Sequence, residues 1–357
     1  MTSEVLTVAG AAALEGQGDR YWEQVMALGL PDYLCSANGV ELGSVLTNVD
    51  FEPDAIISAA PGSCDANSKL HEFTARMLGI PQFLLEKPGD NARGHETYVT
   101  YFKALVGELE EWLGEKLDED YLRMMLERCN KASDLFYELM EMRGHRPSPC
   151  PNLFTLFAYA ARFTMWGTEE AITMMQVMVD VVRERLEKGE YPSPDGEIAR
   201  CFWTYTYYYW DWVRFFNNME EKGITFVGDL LGSLIMQRYD TTDMDTMFDG
   251  LARNCQDYCM TRQMGAESMS AQWIDDLIHW TTRLDADAAI FCGHHACKQT
   301  WSVFSMTRNE LMKRKKIPTL MLQGDAWLKT MTPMSAIEDQ IDEFVRNVVV
   351  KRKTGKA

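Results

Sequence analysis

The order of apolar and polar positions predicts strand–helix–strand units at both ends of the chain. In the first unit, two apolar runs of strand length, "PDAIISAA" and "IPQFLLE", flank the stretch "NSKLHEFTARMLG". Leu70, Phe73 and Met77 share one helical face of that stretch, and Gly79 marks its end. A strand, a helix and a strand in this order favour a βαβ unit, so we expect parallel strands within residues 52–86.

The middle of the chain has a helical period throughout. From about residue 93 to 195, apolar positions recur every three or four residues, and Asp118 is of a type common at helix N-caps. The stretch "GHRPSPCPN" at 144–152 contains three prolines and predicts a loop. The two predicted apolar stripes comprise Leu105, Leu109, Trp112 and Leu113, and Leu122, Met125, Leu126 and Cys129.

Strand and helix patterns alternate again from about residue 198. The runs "RCFWTYTY", "ITFVGD", "ADAAIFCG" and "IPTLMLQGD" predict strands, and helical patterns separate them. The aromatic residues of 202–216 favour a core over an acyl-binding pocket. The predicted fold class is therefore α/β, with two doubly wound parallel-sheet domains related by an internal repeat and a helical domain between them. The predicted domains are residues 1–92, 93–197 and 198–357.

Charge and composition exclude several function classes. The chain has 53 acidic and 35 basic residues and a net charge of −18, which disfavours nucleic acid and anionic lipid as partners. No apolar segment approaches the roughly 20 residues that span a bilayer. The N-terminal stretch lacks a basic flank and carries Glu4, so it does not read as a signal peptide, and we expect a cytoplasmic protein. Neither phosphate-binding glycine motif, G-x-x-x-x-G-K-[ST] or G-x-G-x-x-G, occurs.

The two predicted βαβ units match each other in sequence. Cys64 follows Asp54 by ten residues, and Cys297 follows Asp287 by ten residues. Both units then continue through a helix into an Ile-Pro dipeptide and an apolar strand. This register makes Cys297 equivalent to Cys64.

The same register separates Cys292 from the candidate ligands. Cys292 aligns with Ala59, which still belongs to the predicted strand, so we expect its thiol inside the sheet packing. His294 and His295 are adjacent and unlikely to reach the same ion. They are candidates for hydrogen bonds to a cluster or substrate, or simply polar surface residues.

Three cysteines share one setting in the predicted fold. Cys35, Cys64 and Cys297 each follow a strand-like run and precede a helix-like run. Open α/β sheets bind ligands at this edge, and helix N-termini stabilise thiolates. Three converging thiolates suit an iron–sulfur cluster whose fourth iron stays open. Three separate buried thiols fit the spacing equally well. The nine cysteines, an odd number, argue against a disulfide framework.

Three long segments resemble the 2-hydroxyacyl-CoA dehydratase family, which includes the cluster-bearing subunits of ATP-dependent benzoyl-CoA reductase. They are "SCDANSKLHEFTARMLGIPQFLLEKP", "LVGELEEWLGEKLDEDYLRMMLERCNKASDLFYELMEMRGHRPSP" and "HHACKQTWSVFSMTRNELMKRKKIPTLMLQGDAW". They occur in the family's order through most of the chain. The family's cysteine motifs fall on Cys35-Ser36, Cys64-Asp65 and Cys297-Lys298-Gln299.

The resemblance implies a subunit of a heterodimeric enzyme. It implies two α/β domains, a helical domain and one 4Fe–4S cluster held by Cys35, Cys64 and Cys297, with a homologous subunit as partner. An ATP-dependent iron–sulfur activator protein would supply an electron of low potential. The implied reaction removes water from an (R)-2-hydroxyacyl-CoA through a ketyl radical, giving an enoyl-CoA. It assigns no catalytic residue beyond the ligands.

Two departures from the family pattern leave the substrate open. Ala296 stands where glycine is usual, and the segment from Trp203 to Trp212 is unusually aromatic. Both leave undecided whether the chain binds the substrate or relays electrons. An aromatic acyl-CoA reductase subunit, a related double-cluster reductase and a non-catalytic scaffold with buried cysteines are the alternatives.

Overall fold

The computed structural model describes residues 16–47, 53–59, 65–86, 94–233, 238–257, 269–293 and 295–355. Among the described residues of 16–86, two helices precede a strand–helix–strand unit. These elements are α1 (Gly18–Ala27), α2 (Ser36–Thr47), β1 (Ile56–Ala59), α3 (Asp65–Leu78) and β2 (Gln82–Leu85). The strands β1 and β2 pair in parallel, which confirms the predicted βαβ arrangement.

The predicted helical block is helical in the structure. It contains α4 (Gly94–Leu113), α5 (Glu119–Arg143), α6 (Leu153–Thr164) and α7 (Glu169–Lys188). The Asp118 carboxylate accepts a hydrogen bond from the backbone N–H of Tyr121, so the predicted N-cap is confirmed. The first apolar stripe is only partly right. Leu105 is buried, but Trp112 and Leu113, in the last turn of α4, are 43% and 61% exposed.

The last part of the chain forms a four-stranded parallel sheet. Its strands lie in the order β4-β3-β5-β6, so the predicted strand–helix alternation is confirmed. The elements are β3 (Ala199–Trp203), α8 (Trp212–Glu221), β4 (Ile224–Asp229), α9 (Met244–Asp257), α10 (Met269–Arg283), β5 (Ala288–Phe291), α11 (Lys298–Lys315), β6 (Thr319–Met321), α12 (Met334–Phe344), a π-helix (Val345–Val350) and α13 (Lys351–Lys353).

The two strand–helix–strand units pair their strands in the same register. Ile56 pairs with Gln82 in the first sheet, and Ala289 pairs with Thr319 in the second. The sequence alignment of the two units makes Ile56 equivalent to Ala289 and Gln82 equivalent to Thr319. The intervening helices have 14 residues in α3 and 18 in α11, so the second unit is longer without a change of strand pairing.

The aromatic segment after β3 belongs mainly to the core. Trp203, Tyr207 and Tyr208 are fully buried and pack with aromatic residues of α8 and β4, so the expected core role is confirmed for them. Tyr205 differs from them because the residue as a whole is not fully buried. In α3, only one of the three residues predicted to form a buried face is buried. Leu70 is buried, whereas Phe73 and Met77 are each 38% exposed.

A buried arginine joins the helical block to the second sheet. The Arg200 guanidinium, at the start of β3, donates hydrogen bonds to carbonyl oxygens at the C-terminal ends of two helices. Burial lowers the pKa of this side chain, and the Glu197 carboxylate, 3.2 Å from its Nε, opposes that shift. The acceptor carbonyls belong to Arg143, Gly144 and His145 at the end of α5 and to Leu284 at the end of α10. This contact anchors both helices to the sheet that carries the candidate site.

No helix within the described residues combines the length and the apolar character needed to cross a membrane.

Candidate functional site

The four-stranded sheet has a point where its strand order reverses. From β3 the chain passes to β4 on one side, and β5 then pairs with β3 on its other side. Ligands of open α/β sheets bind outside the carboxyl ends of the strands at such a point. Tyr205 lies just beyond the end of β3, and Cys297 lies in the loop beyond β5. The expected ligand position of this sheet therefore has Tyr205 on one side and Cys297 on the other.

Cys297 is the residue immediately before α11. Its carbonyl oxygen accepts hydrogen bonds from the Thr300 hydroxyl at 3.1 Å and from the Trp301 backbone N–H at 3.2 Å. Its side chain is partly exposed. The thiol thus stands at the N-terminal end of a helix, where unpaired backbone amides and the helix dipole attract negative charge.

The loop that carries Cys297 uses the left-handed backbone conformation twice. Gly293 has φ +59°, and a Cβ there would come within 1.8 Å of the Leu322 carbonyl oxygen. Ala296 has φ +60°, a conformation that costs a residue with a side chain about 1–2 kcal/mol. Glycine before the third cysteine, the usual residue in the resembling family, suits this backbone, and Ala296 retains the conformation at a cost.

Cys35 is the residue immediately before α2. Its carbonyl oxygen accepts a hydrogen bond from the Gly39 backbone N–H at 2.9 Å, and its side chain is partly exposed. The next residue, Ser36, is fully buried and donates from its hydroxyl to the carboxylate of Asp325. Asp325 follows β6, so the Cys35 segment is attached to the carboxyl edge of the second sheet.

A second contact joins the same two regions of the chain. The Lys298 ammonium lies 5.4 Å from the centroid of the Tyr33 ring, a cation–π distance. Tyr33 precedes Cys35 by two residues, and Lys298 directly follows Cys297. The residues flanking the two candidate ligands therefore touch each other.

Tyr205 lies close to both described candidate ligands. Burial raises the pKa of its phenol well above the ordinary value, and the nearby thiols of Cys297 and Cys35 raise it further, with a smaller effect from Cys292. The Tyr205 ring also stacks on Trp273 of α10, with the ring centroids 5.7 Å apart. The structure thus brings Cys35 and Cys297 within electrostatic range of one tyrosine hydroxyl. The sequence analysis missed Tyr205, whose only signal was its position just after an apolar strand.

Of the remaining cysteines and histidines named from the sequence, two lie outside the described residues. These are Cys64 and His294, although Asp65, which follows Cys64, begins α3. Cys292 is fully buried directly after β5, as predicted, and its carbonyl oxygen accepts a hydrogen bond from the Tyr208 hydroxyl at 2.6 Å. His295 is exposed. Among the residues that the structure describes, no three His, Cys, Asp or Glu side chains are grouped as a metal site.

A buried carboxyl group lies at the end of the neighbouring strand. Asp229, the last residue of β4, is 2% exposed, and burial raises its pKa from 3.8 to about 7. A hydrogen bond from the Gly232 backbone N–H and the charges of Arg143 and Arg162 oppose this rise. The carboxyl edge of the sheet therefore holds an ionisable group that sequence reasoning did not single out.

Residues next to two cysteines from distant parts of the chain are in contact at the carboxyl edge of a parallel sheet, and this defines an α/β protein with a thiol-based candidate site. Cysteine sulfur is the donor that iron–sulfur clusters use, so the described donors fit such a group. The chain belongs to the family described as 2-hydroxyglutaryl-CoA dehydratase, D-component, whose model matches residues 1–348. The family consists of subunits of 2-hydroxyacyl-CoA dehydratases, which are hydro-lyases, and its members generally carry iron–sulfur clusters. A comparison with curated proteins finds no match.

Proposed function

We propose that the chain is the iron–sulfur subunit of a 2-hydroxyacyl-CoA dehydratase that removes water from an (R)-2-hydroxyacyl-CoA through a ketyl radical. The observation that supports this proposal is the meeting of the Cys35 and Cys297 segments around Tyr205. These two cysteines stand early and late in the chain, and both directly precede helices. Membership of the dehydratase family supports the reaction class.

The proposed cluster ligands are Cys35, Cys64 and Cys297, and the proposed cluster is of the 4Fe–4S type. When bound, such a group supplies one-electron transfer and an iron that can act as a Lewis acid. The equal strand registers of the two βαβ units support the internal repeat, and with it the equivalence of Cys64 and Cys297. We also propose the three domains 1–92, 93–197 and 198–357 as the units of this subunit.

The chain's own residues contribute binding, orientation and exclusion of water. The first backbone amides of α2 and α11 stabilise negative charge on the sulfurs of Cys35 and Cys297. The Tyr205 hydroxyl keeps its proton, because its pKa lies well above the ordinary value, and it can donate a hydrogen bond toward sulfur or a substrate oxygen. Trp203 and Tyr208, whose hydroxyl donates to the Cys292 carbonyl, are fully buried, and we propose that they exclude water from the protein side of the site.

The proposed enzyme is a heterodimer with a homologous subunit, served by an ATP-dependent iron–sulfur activator protein. The chain offers one set of three candidate thiols, whereas the chemistry of the resembling family uses clusters in two neighbouring subunits. The test is to purify the chain without oxygen, measure iron and sulfide, and assay an (R)-2-hydroxyacyl-CoA with the co-purifying subunit and activator. A purified chain without iron would contradict the proposed cluster. Turnover of the substrate by the single chain with only the activator present would contradict the proposed heterodimer.

The assay also separates a dehydratase from an aromatic acyl-CoA reductase. A dehydratase recovers its electron and needs only catalytic amounts of reductant. A reductase consumes electrons with every turnover. Reductant consumed in proportion to product would therefore replace the dehydratase proposal with the reductase.

A further inference from the structure

The helices α2 and α3 are joined by two polar contacts between buried or half-buried side chains. The side-chain amide nitrogen of Asn67 donates to the amide oxygen of Asn38 at 3.0 Å. The Nε2 of His71 lies 2.9 Å from a carboxylate oxygen of Glu41. Residues Asn38 and Glu41 belong to α2, and Asn67 and His71 belong to α3. We call these four residues the α2–α3 clamp.

The clamp residues follow two proposed cluster ligands closely in the sequence. Asn38 follows Cys35 by three residues, and Asn67 follows Cys64 by three residues. Residues three apart lie on the same side of a helix, about one turn apart. The first contact of the clamp therefore joins the first turns of the two helices, and the second contact joins them one turn further on.

The contact between His71 and Glu41 is a directed hydrogen bond. The His71 Nδ1 is buried and has no hydrogen-bond partner among the described atoms, so a proton there would be left unpaired. A proton on Nε2 is donated to the Glu41 carboxylate. The two side chains are only 16% and 14% exposed, so solvent competes little for the bond.

A pocket interrupts the packing between these helices, although Leu42 and Leu70 share one buried apolar cluster. A cavity of about 170 Å³ lies between α2, α3 and β1 and is lined by clamp residues and by apolar side chains. Protein interiors hold their elements in place through dense contacts, and an open interface offers fewer of them. The apolar lining includes Leu42, Val45, Ile56 and Leu70. The clamp therefore adds polar contacts to an interface that apolar side chains fill only in part.

We propose that the α2–α3 clamp is a positioning device that sets the spacing of Cys35 and Cys64. This inference rests on the proposed function, because it gives these two cysteines a common ligand. Asn67 and His71 act through the helices and touch no reacting atom. Loss of either contact lets α3 shift relative to α2 into the neighbouring cavity.

The test compares Asn67→Ala and His71→Ala with a conservative and a control variant. His71→Gln retains a donor near the Nε2 position, and Lys69→Ala removes only an exposed ion pair of α3 with Glu72. Iron per chain, the g values of the reduced cluster and its midpoint potential are measured after anaerobic purification. We expect both alanine variants to lose at least about half of their iron or to show changed g values and potential. His71→Gln and Lys69→Ala should match the unmodified chain.

A measurement without iron keeps this inference separate from the proposed function. A short bis-maleimide is reacted with the metal-free chain, and the yield of the Cys35–Cys64 link is read from the joined peptides by mass spectrometry. We expect the yield to fall at least threefold in Asn67→Ala and His71→Ala but not in Lys69→Ala. Equal yields in all variants, with circular dichroism showing folded chains, would overturn the clamp. Absence of iron from the unmodified chain would overturn the proposed function alone.

Discussion

The Ser36 hydroxyl oxygen lies 2.7 and 2.8 Å from the two carboxylate oxygens of Asp325, and both residues are fully buried. The same carboxylate accepts the backbone N–H groups of Trp327 and Leu328. Ser36 opens α2, directly after Cys35, whereas Asp325 follows the last strand of the second sheet. This contact joins α2 to the edge of the second sheet where Cys297 lies.

Removing this hydroxyl should destabilise the protein. We expect Ser36→Ala to lower the free energy of unfolding by about 1–3 kcal/mol, because a buried carboxylate loses a hydrogen-bond donor. Ser335→Ala, an exposed serine of α12, is the control and should change stability by less than about 0.5 kcal/mol. Urea unfolding of the metal-free chain under reducing conditions measures both. Equal stability of the two variants would show that the contact contributes little.

Iron content should distinguish the proposed ligands from the nearby buried thiol. We expect Cys35→Ser, Cys64→Ser and Cys297→Ser each to lose most of the iron, because serine oxygen is a poor substitute for thiolate on iron. Cys292→Ala should keep its iron and lose on the order of 1 kcal/mol of stability, since Cys292 is fully buried beside β5. Iron per chain after anaerobic purification decides the matter. If Cys292→Ala lost the iron and Cys297→Ser kept it, the proposed ligand set would be wrong.

Restoring glycine before the third cysteine should stabilise the loop. Ala296 has φ +60°, so we expect Ala296→Gly to raise the free energy of unfolding by about 0.5–1 kcal/mol. Ala104→Gly, at an exposed position within α4, is the control. It should lower the free energy of unfolding by about 1 kcal/mol, because glycine destabilises a helix interior. Thermal unfolding of both variants tests this. A loss of stability in both would show that the loop tolerates alanine without strain.

The buried arginine should matter far more for stability than an exposed one. We expect Arg200→Met to cost about 3–5 kcal/mol, because it leaves buried helix-end carbonyl groups without their donor and removes the nearer of two cations beside the Glu197 carboxylate. Arg183→Met removes two ion pairs, with Glu138 and Asp180, between half-exposed side chains and should cost less than about 1 kcal/mol. Chemical denaturation of both variants gives the two values. Similar costs would contradict the anchoring role of Arg200.

The buried carboxyl of Asp229 should make stability fall as the pH rises. Its pKa is about 7 in the folded protein, and the ordinary value of 3.8 applies to the unfolded chain. Between these two pH values, the folded chain holds a proton that the unfolded chain has released. Stability relative to Asp229→Asn should therefore decrease from pH 4.5 to pH 8, by up to about 3 kcal/mol. Urea unfolding of the metal-free proteins across this range provides the test. Parallel pH curves would show that Asp229 titrates normally in the fold.

Local pattern was enough to predict the strand–helix units and the parallel strands of this fold. The apolar runs around Ile56 and Ile290 form strands, because a short apolar segment between two helices can be covered by those helices when it joins a sheet. The pattern wrongly predicted that Phe73 and Met77 are buried, because a helical face is buried only where another element covers it. Tyr205 could not be found in this way, because its proximity to Cys35 and Cys297 depends on how distant segments meet.

The contact between Ser36 and Asp325 spans 289 positions of the chain. A ribosome makes the N-terminal residues first, and they can begin to fold before the rest has emerged. The surroundings of Cys35, however, stay incomplete until the residues after β6 have been synthesised. The candidate site can thus be completed only late in the synthesis of the chain. A truncated translation product that ends before Asp325 carries Cys35 without the segment that holds it in place.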